Sequence, residues 1–224
     1  DWSSDVCSSD LYDLDNPLIE ATMRDRQPRV RVYAAVPPTI VLGRGSQLDV
    51  ELNRAAVEAA AAESAVIVRR RRGGGCAVTL DPGNVIVAVT LPTRRLGGNQ
   101  QRFEEISAWL IEGLARAGVP GVERAGTSDL ALDGRKISGS CIHQSRDVVY
   151  YSATLLVRPD FERMSAWLAH PPREPSYRAG RQHESFCLAL ADKFPSLTVE
   201  SLTLALRTEL TPLPSWEESA SSPS

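Results

Sequence analysis

The chain has 224 residues, of which 42% are apolar and 24% charged, enough material for one sizeable domain. Its formal net charge of −3 and pI near 5.7 leave no overall basic field for nucleic acid, so any cationic function must be local. No apolar stretch approaches the roughly 20 residues of a membrane helix, and the start lacks the basic-then-apolar layout of a secretory signal. These properties imply a cytoplasmic protein without nucleic-acid or membrane partners.

Residues 1–11 show no hydrophobic period and no capping pattern; they resemble an in-frame translation of a sequencing adapter and are expected to be a non-native leader. The domain proper is expected over residues 12–213, with 214–224 as a flexible Ser- and Pro-rich tail. Residues 29–33 and 39–43 are short β-branched runs separated by Pro37-Pro38, which suits two strands and a loop. Residues 49–62 form an Ala- and Glu-rich pattern with Leu52, Ala56 and Ala59 on one face, predicting a helix. Residues 66–69 read as a strand. The apolar runs 76–80 and 85–91 flank Asp81-Pro82-Gly83-Asn84, where Pro presets the first turn angle and Gly accepts positive φ, so a hairpin is expected.

A second helix is predicted over 102–117 from the spacing of Phe103, Ile106, Leu110 and Leu114, ended by Gly118. Residues 130–132 and 136–142 flank Asp133-Gly134, a strong two-residue hairpin signal, and 148–157 continues the sheet. Shorter helices are expected at 161–169, 185–191 and 199–209. Hairpins interleaved with helices imply an α+β domain around a mixed, largely antiparallel sheet flanked by helices.

The chemistry concentrates in two segments. Arg69-Arg70-Arg71-Arg72 runs into Gly73-Gly74-Gly75-Cys76-Ala77. Successive glycines let backbone N–H groups approach an anion, and guanidiniums add forked, charge-assisted donors; the alternative is a surface loop with solvated arginines. The second segment is Ser128-Asp129-Leu130 with Gly134-Arg135-Lys136-Ile137-Ser138-Gly139-Ser140. A lysine just past a tight hairpin is ordinarily a solvated strand residue. Here arginine has displaced lysine everywhere except at Lys136 and Lys193, and Lys136 stands among small residues that would let a substrate approach. A compact ammonium suits stabilisation of negative charge at a carbonyl and an α-phosphate.

Together these segments resemble the lipoate–protein ligase A family, of the biotin/lipoate ligase catalytic superfamily. Its arginine pair and serine–glycine loop, continuing through Ala-Val to Asp-x-Gly-Asn, is similar to Arg70-Arg71, Gly73-Gly74-Gly75, Ala77-Val78 and Asp81-Pro82-Gly83-Asn84, with Gly73 at the serine position. Cys76 takes the place of the third family glycine. The family's Asn-Asp-Leu and Gly-Arg-Lys-Ile-Ser-Gly-Ser are matched at Ser128-Asp129-Leu130 and Gly134 to Ser140. A third stretch, Pro175-Ser176-Tyr177-Arg178 with Arg181, His183 and Phe186, is similar to a downstream segment of part of the family. The resemblance implies a fold related to class II aminoacyl-tRNA synthetases and biotin ligases, with residues 12–213 as the catalytic domain. It implies ATP- and Mg2+-dependent activation of lipoate or octanoate, then transfer to a lysine of a lipoyl-acceptor domain or a glycine-cleavage H-like protein. It places the catalytic lysine at Lys136. It makes Arg70, Arg71, Gly73, Gly74, Gly75, Cys76, Ala77, Asp81, Asn84, Asp129, Ser138 and Gly139 the residues around the acid and the acyl-adenylate, with no protein-bound metal. A monomer is expected, with a separate small accessory subunit as a further partner.

The sequence departs from the family where His-His-Gly becomes Tyr151-Ser152-Ala153 and where the histidine after Ala-Val-Tyr becomes Leu80. Two alternatives stay open. An octanoyl- or lipoyltransferase would take acyl groups from a carrier thioester without ATP through a nucleophilic cysteine, for which Cys76 and Cys141 are available. A non-catalytic lipoyl-binding protein would keep the pocket without turnover. The Gly-Arg-Gly-x-x-Gly-Arg loop of biotin ligases is absent. His143 and His183 are isolated and read as surface or capping residues.

Overall fold

The computed structural model describes residues 11–35, 37–94, 96–211 and 213. The expected leader, apart from Leu11, and the expected tail lie outside them. Leu11 forms a single bridge to Arg70. In chain order the elements are α1 (Asn16–Asp25), β1 (Arg29–Ala34), β2 (Thr39–Leu42), α2 (Leu48–Glu51), α3 (Arg54–Ala62), β3 (Ile67–Arg70), β4 (Val78–Leu80), β5 (Asn84–Pro92) and α4 (Asn99–Arg116). Then follow β6 (Glu123–Ala125), β7 (Asp129–Leu132), β8 (Arg135–Gln144), β9 (Val148–Leu156), α5 (Phe161–Trp167), a 3-10 turn (Ser176–Arg178), α6 (His183–Phe186), α7 (Leu190–Lys193) and α8 (Val199–Glu209).

A six-stranded antiparallel sheet, ordered β1-β5-β9-β8-β7-β6, carries the domain, and a three-stranded mixed sheet, β3-β2-β4, packs beside it. On one face of the large sheet Val85, Val87, Val89, Tyr151, Ala153 and Leu155 meet Ile106, Leu110 and Leu114 of α4 and Leu202 and Leu206 of α8. Each fully buried Leu or Ile there stabilises the fold by about 1.5–3 kcal/mol. The opposite face is covered by Ile19 of α1 and, through Val41 and Leu80, by the small sheet. With both faces covered, β5 is buried from Asn84 to Leu91 and its Val85–Val89 stretch is apolar without alternation.

Three expectations change. The run 76–80 and the run 85–91 do not form a hairpin: β4 pairs with β2 in the small sheet while β5 pairs with β1 and β9 in the large one. The intervening turn is a crossover. Asp81 accepts from the backbone N–H groups of Gly83 and Asp160, and a Cβ on Gly83 would lie 1.8 Å from the Arg158 carbonyl oxygen. The helix over 49–62 is broken at Leu52 and Asn53, because Leu52 bridges Leu168 and Asn53 bonds the Trp167 and Ala166 carbonyls. The helix over 185–191 is likewise split. Cys187 to Ala189 is extended, and Leu188 N–H donates to the Lys136 carbonyl at 2.8 Å. Helix α1 and strand β6 were not expected.

A buried polar knot ties α1 to the sheet. Asp15, 2% exposed, accepts from Tyr33 at 3.0 Å and from Tyr150 at 2.7 Å, and the Tyr12 hydroxyl lies 3.1 Å from that of Tyr33. Burial pushes the Asp15 carboxyl up, opposed by the tyrosine hydrogen bonds.

Candidate active site

The β7–β8 hairpin turns at Asp133 (φ 51°) and Gly134 (φ 69°), the two positive angles that a tight twisted hairpin needs. A bulge follows. Ala131 pairs with Lys136 but Leu130 pairs with Ser138, so Ile137 is the extra residue. Ile137 enters the helix-covered core at 0% exposure. Ser138 pairs with Leu155, a residue of that same core, so its hydroxyl turns away from Lys136 and finds no partner among the described residues. Lys136 and Gly139 emerge on the other face.

There the Lys136 Nζ lies 2.8 Å from Asp129 Oδ1, with a quarter of the lysine side chain exposed and the carboxylate nearly buried. Asp129 pairs directly with Gly139 across the strands. Gly139 is glycine for a visible reason: a Cβ would stand 2.9 Å from the Lys136 Nζ. Two residues on, Cys141 shares Gly139's face, since strand side chains alternate. A Cβ on Gly73 would meet the Cys141 Sγ at 3.1 Å. The first glycine of the loop therefore packs against β8 on the same face as the lysine amine, two strand residues or roughly 7 Å along.

The loop itself is held by its arginines. Arg71 donates to the carbonyls of Val41 (3.0 Å), Gly74 (2.8 Å) and Cys76 (2.8 Å). Arg70 Nη1 donates to those of Gly43 (2.7 Å) and Ser46 (3.1 Å). Both guanidiniums thus staple the backbone of the loop around which the acid and the acyl-adenylate are expected. Behind the loop stands Glu51, 6% exposed, which accepts from Ser46 Oγ at 2.9 Å and from the Ala77 N–H at 2.5 Å. Ser46 Oγ in turn accepts from the Gly43 N–H. Nothing in the sequence singled out Glu51 or Ser46, because an acidic residue in a polar helix carries no signal until its burial is seen. Gly43 lies so close to the loop that a Cβ would fall 1.8 Å from the Gly75 carbonyl oxygen, and Gly75 adopts φ 92°. Gly74 is exposed, and Cys76, half-buried, points its thiol at the Arg173 carbonyl 3.8 Å away.

Asp81 and Asn84 are not brought to the lysine. Their oxygens close the crossover turn, Asn84 Oδ1 accepting from the Asp81 N–H at 2.9 Å. Burial pushes Asp81 up. Around the loop the field is positive: burial, then Arg72 and Arg44, pushes His143 below the ordinary histidine range. Burial pushes the Cys141 thiol up, with Arg71 opposing, and pushes Cys187 up, with Lys136 opposing. No group of three His, Cys, Asp or Glu side chains that could hold a metal ion occurs among the described residues.

An ammonium braced by a carboxylate, facing a glycine-rich loop in a positive field, can bring together an acid and a phosphate ester and stabilise the negative charge that develops between them. Known proteins show the same frame. Residues 11–211 match the model of the lipoyl protein ligase A/B catalytic domain. A probable lipoate-protein ligase A of Mycoplasma pneumoniae is 33% identical over 130 residues, 58% of this chain and 37% of that protein, so the match spans little more than a third of the relative. Among solved structures, a bi-partite lipoate protein ligase from Thermoplasma acidophilum superposes with a TM-score of 0.72 at 18% identity, covering 88% of this chain and 74% of that one. A lipoate-protein ligase A bound with ATP gives 0.71 at 17% identity, covering 88% and 76%. No helix among the described residues is long and apolar enough to cross a membrane. On the match of nearly its whole length to that family model, the chain belongs to the lipoyl protein ligase A/B catalytic domain family.

Proposed function

We propose that the chain is the catalytic domain of an ATP-dependent lipoate–protein ligase, acting by way of a lipoyl-adenylate on a lysine of an acceptor domain. The observation that carries the reading is the position of the Lys136 amine, braced by Asp129 and sharing one sheet face with Gly73. In the first step a carboxylate oxygen of lipoate or octanoate attacks the α-phosphorus of ATP, and pyrophosphate leaves. In the second the neutral amine of the acceptor lysine attacks the activated carbonyl carbon, the amine loses a proton, and AMP departs. Lys136 lies beside the oxygens that gain negative charge in both steps, and N–H groups of Gly73 to Gly75 supply further donors. Mg2+ enters with ATP as part of the substrate, keeping several of its waters.

Relatives lend support: one solved neighbour carries ATP, and the Thermoplasma acidophilum protein is described as a bi-partite lipoate protein ligase of a lipoylation system that includes an E2 lipoyl domain. On this reading the partner is a lipoyl domain or a glycine-cleavage H-like protein, with a small accessory subunit as a second partner and a monomeric, cytoplasmic catalytic chain. Of the two cysteines open to thioester exchange, Cys141 is disfavoured by its raised thiol, since such a nucleophile needs a low pKa, which leaves Cys76 as the thiol a transferase would use. The test combines protein, lipoate or octanoate, ATP-Mg and an acceptor domain, and follows acceptor mass and pyrophosphate. Acylation with pyrophosphate release supports the ligase. Acylation only from an acyl-carrier thioester would replace it with a transferase, and binding of lipoate without acylation would leave a binding protein.

A further inference from the structure

The segment from Pro171 to Leu188 closes over the lysine from outside the sheet. Its Tyr177 hydroxyl donates to Asp129 Oδ2 at 2.9 Å, while Lys136 Nζ takes Asp129 Oδ1 at 2.8 Å. The phenol is pushed well up, by burial first and by Asp129 second, so it stays a donor at any pH at which the protein works. Its ring is fixed independently: the Tyr177 and Phe186 centroids lie 5.0 Å apart, and the Arg178 and Arg181 guanidiniums lie 4.8 and 5.3 Å from the Phe186 ring centre. The same segment grips the lysine backbone through the Leu188 N–H.

An ammonium has three donors, and an unoccupied carboxylate can draw two of them, one to each oxygen. We propose that Tyr177 is a positioning residue for Lys136: by occupying Asp129 Oδ2 it confines the amine to Oδ1 and leaves the remaining donors for substrate. The proposal deepens the ligase reading and rests on it. Without the hydroxyl, Asp129 chelates the ammonium with both oxygens, which holds the proton more tightly and draws the amine back from the reacting carbonyl.

The test is Tyr177→Phe, which deletes the hydroxyl and keeps the ring on Phe186. The expected result is a fall in kcat of about tenfold, the size that a hydrogen bond to a charged group carries, with the KM for acid and for ATP within about threefold. A second readout needs no turnover. Because Lys136 and Lys193 are the only lysines, labelling with an amine-reactive reagent across a pH series, read by peptide mass, reports Lys136 against an internal control. In Tyr177→Phe the Lys136 labelling curve should move to higher pH while that of Lys193 stays. Tyr177→Leu, which also loses the ring contact, should show the same shift together with a lower Tm. An unmoved Lys136 curve in a folded variant overturns the proposal, as does a kcat loss explained by KM or Tm alone. Failure of the ligase reading looks different: the native chain itself releases no pyrophosphate, while the labelling shift persists.

Discussion

At the residue scale the site depends on side chains that are absent as much as on those present. Gly139 leaves the space that the Lys136 amine occupies, and its Cβ position lies 2.9 Å from Nζ. Gly139→Ala should therefore move the amine rather than the fold: activity should fall by about tenfold or more, as expected for a displaced catalytic donor, with Tm changed by only a few degrees. A variant of unchanged activity would show that the amine has room to spare and that its position is not critical. Lys136 stands out in the sequence because arginine occupies almost every other basic position and small residues surround this one. The roles of Glu51 and Tyr177 left no such signal: Glu51 meets the Ala77 N–H and Tyr177 meets Asp129, both far along the chain, and a hydrogen bond across such a gap leaves no periodicity or spacing to read.

At the scale of elements, most strands and the helices α4 and α8 followed from local pattern, whereas pairings followed only where a local turn set them. The Asp133-Gly134 hairpin was legible since the turn chemistry is local. The Asp81-Pro82-Gly83-Asn84 turn carries equally good turn chemistry, but its partners are Arg158 and Asp160, so the two flanking runs diverge into different sheets. The short helix α6 offers a check on packing over the lysine. Burial, then Arg178 and His170, pushes His183 down from 6.5 to about 4. A lowered histidine takes its proton in the unfolded chain first, so its contribution to stability is complete above pH 6.5 and is lost as pH falls towards 4. His183→Gln removes that loss. Across this window the Tm of the variant should rise relative to that of the native chain as pH is lowered, and a difference independent of pH would contradict the half-buried, neutral imidazole.

At the scale of the whole molecule, one sheet presents Lys136 and Asp129 on a single face while long-range polar contacts fix what packs around it. Asp15 at the start of α1 accepts the hydroxyl of Tyr150, 135 residues along the chain, and both groups are buried. Tyr150→Phe removes that donor and leaves the carboxylate with one tyrosine partner fewer. The expected loss is about 1–3 kcal/mol in urea unfolding, the range for a buried partner lost, and no loss would show that the knot is solvated. The α+β class and the largely antiparallel sheet were legible in the alternation of hairpins and helices. The division into two sheets was not, because it depends on where β4 and β5 find partners.

The central claim is that the Lys136 amine acts at the step that joins an acid to a nucleotide. Lipoate-dependent exchange of labelled pyrophosphate into ATP reports that step alone, without acceptor. The native chain should catalyse it, and Lys136→Ala, shown to be folded, should lose about 10²–10³ of the rate, the cost of removing one donor to developing charge. Exchange that survives undiminished in the folded variant would contradict the account.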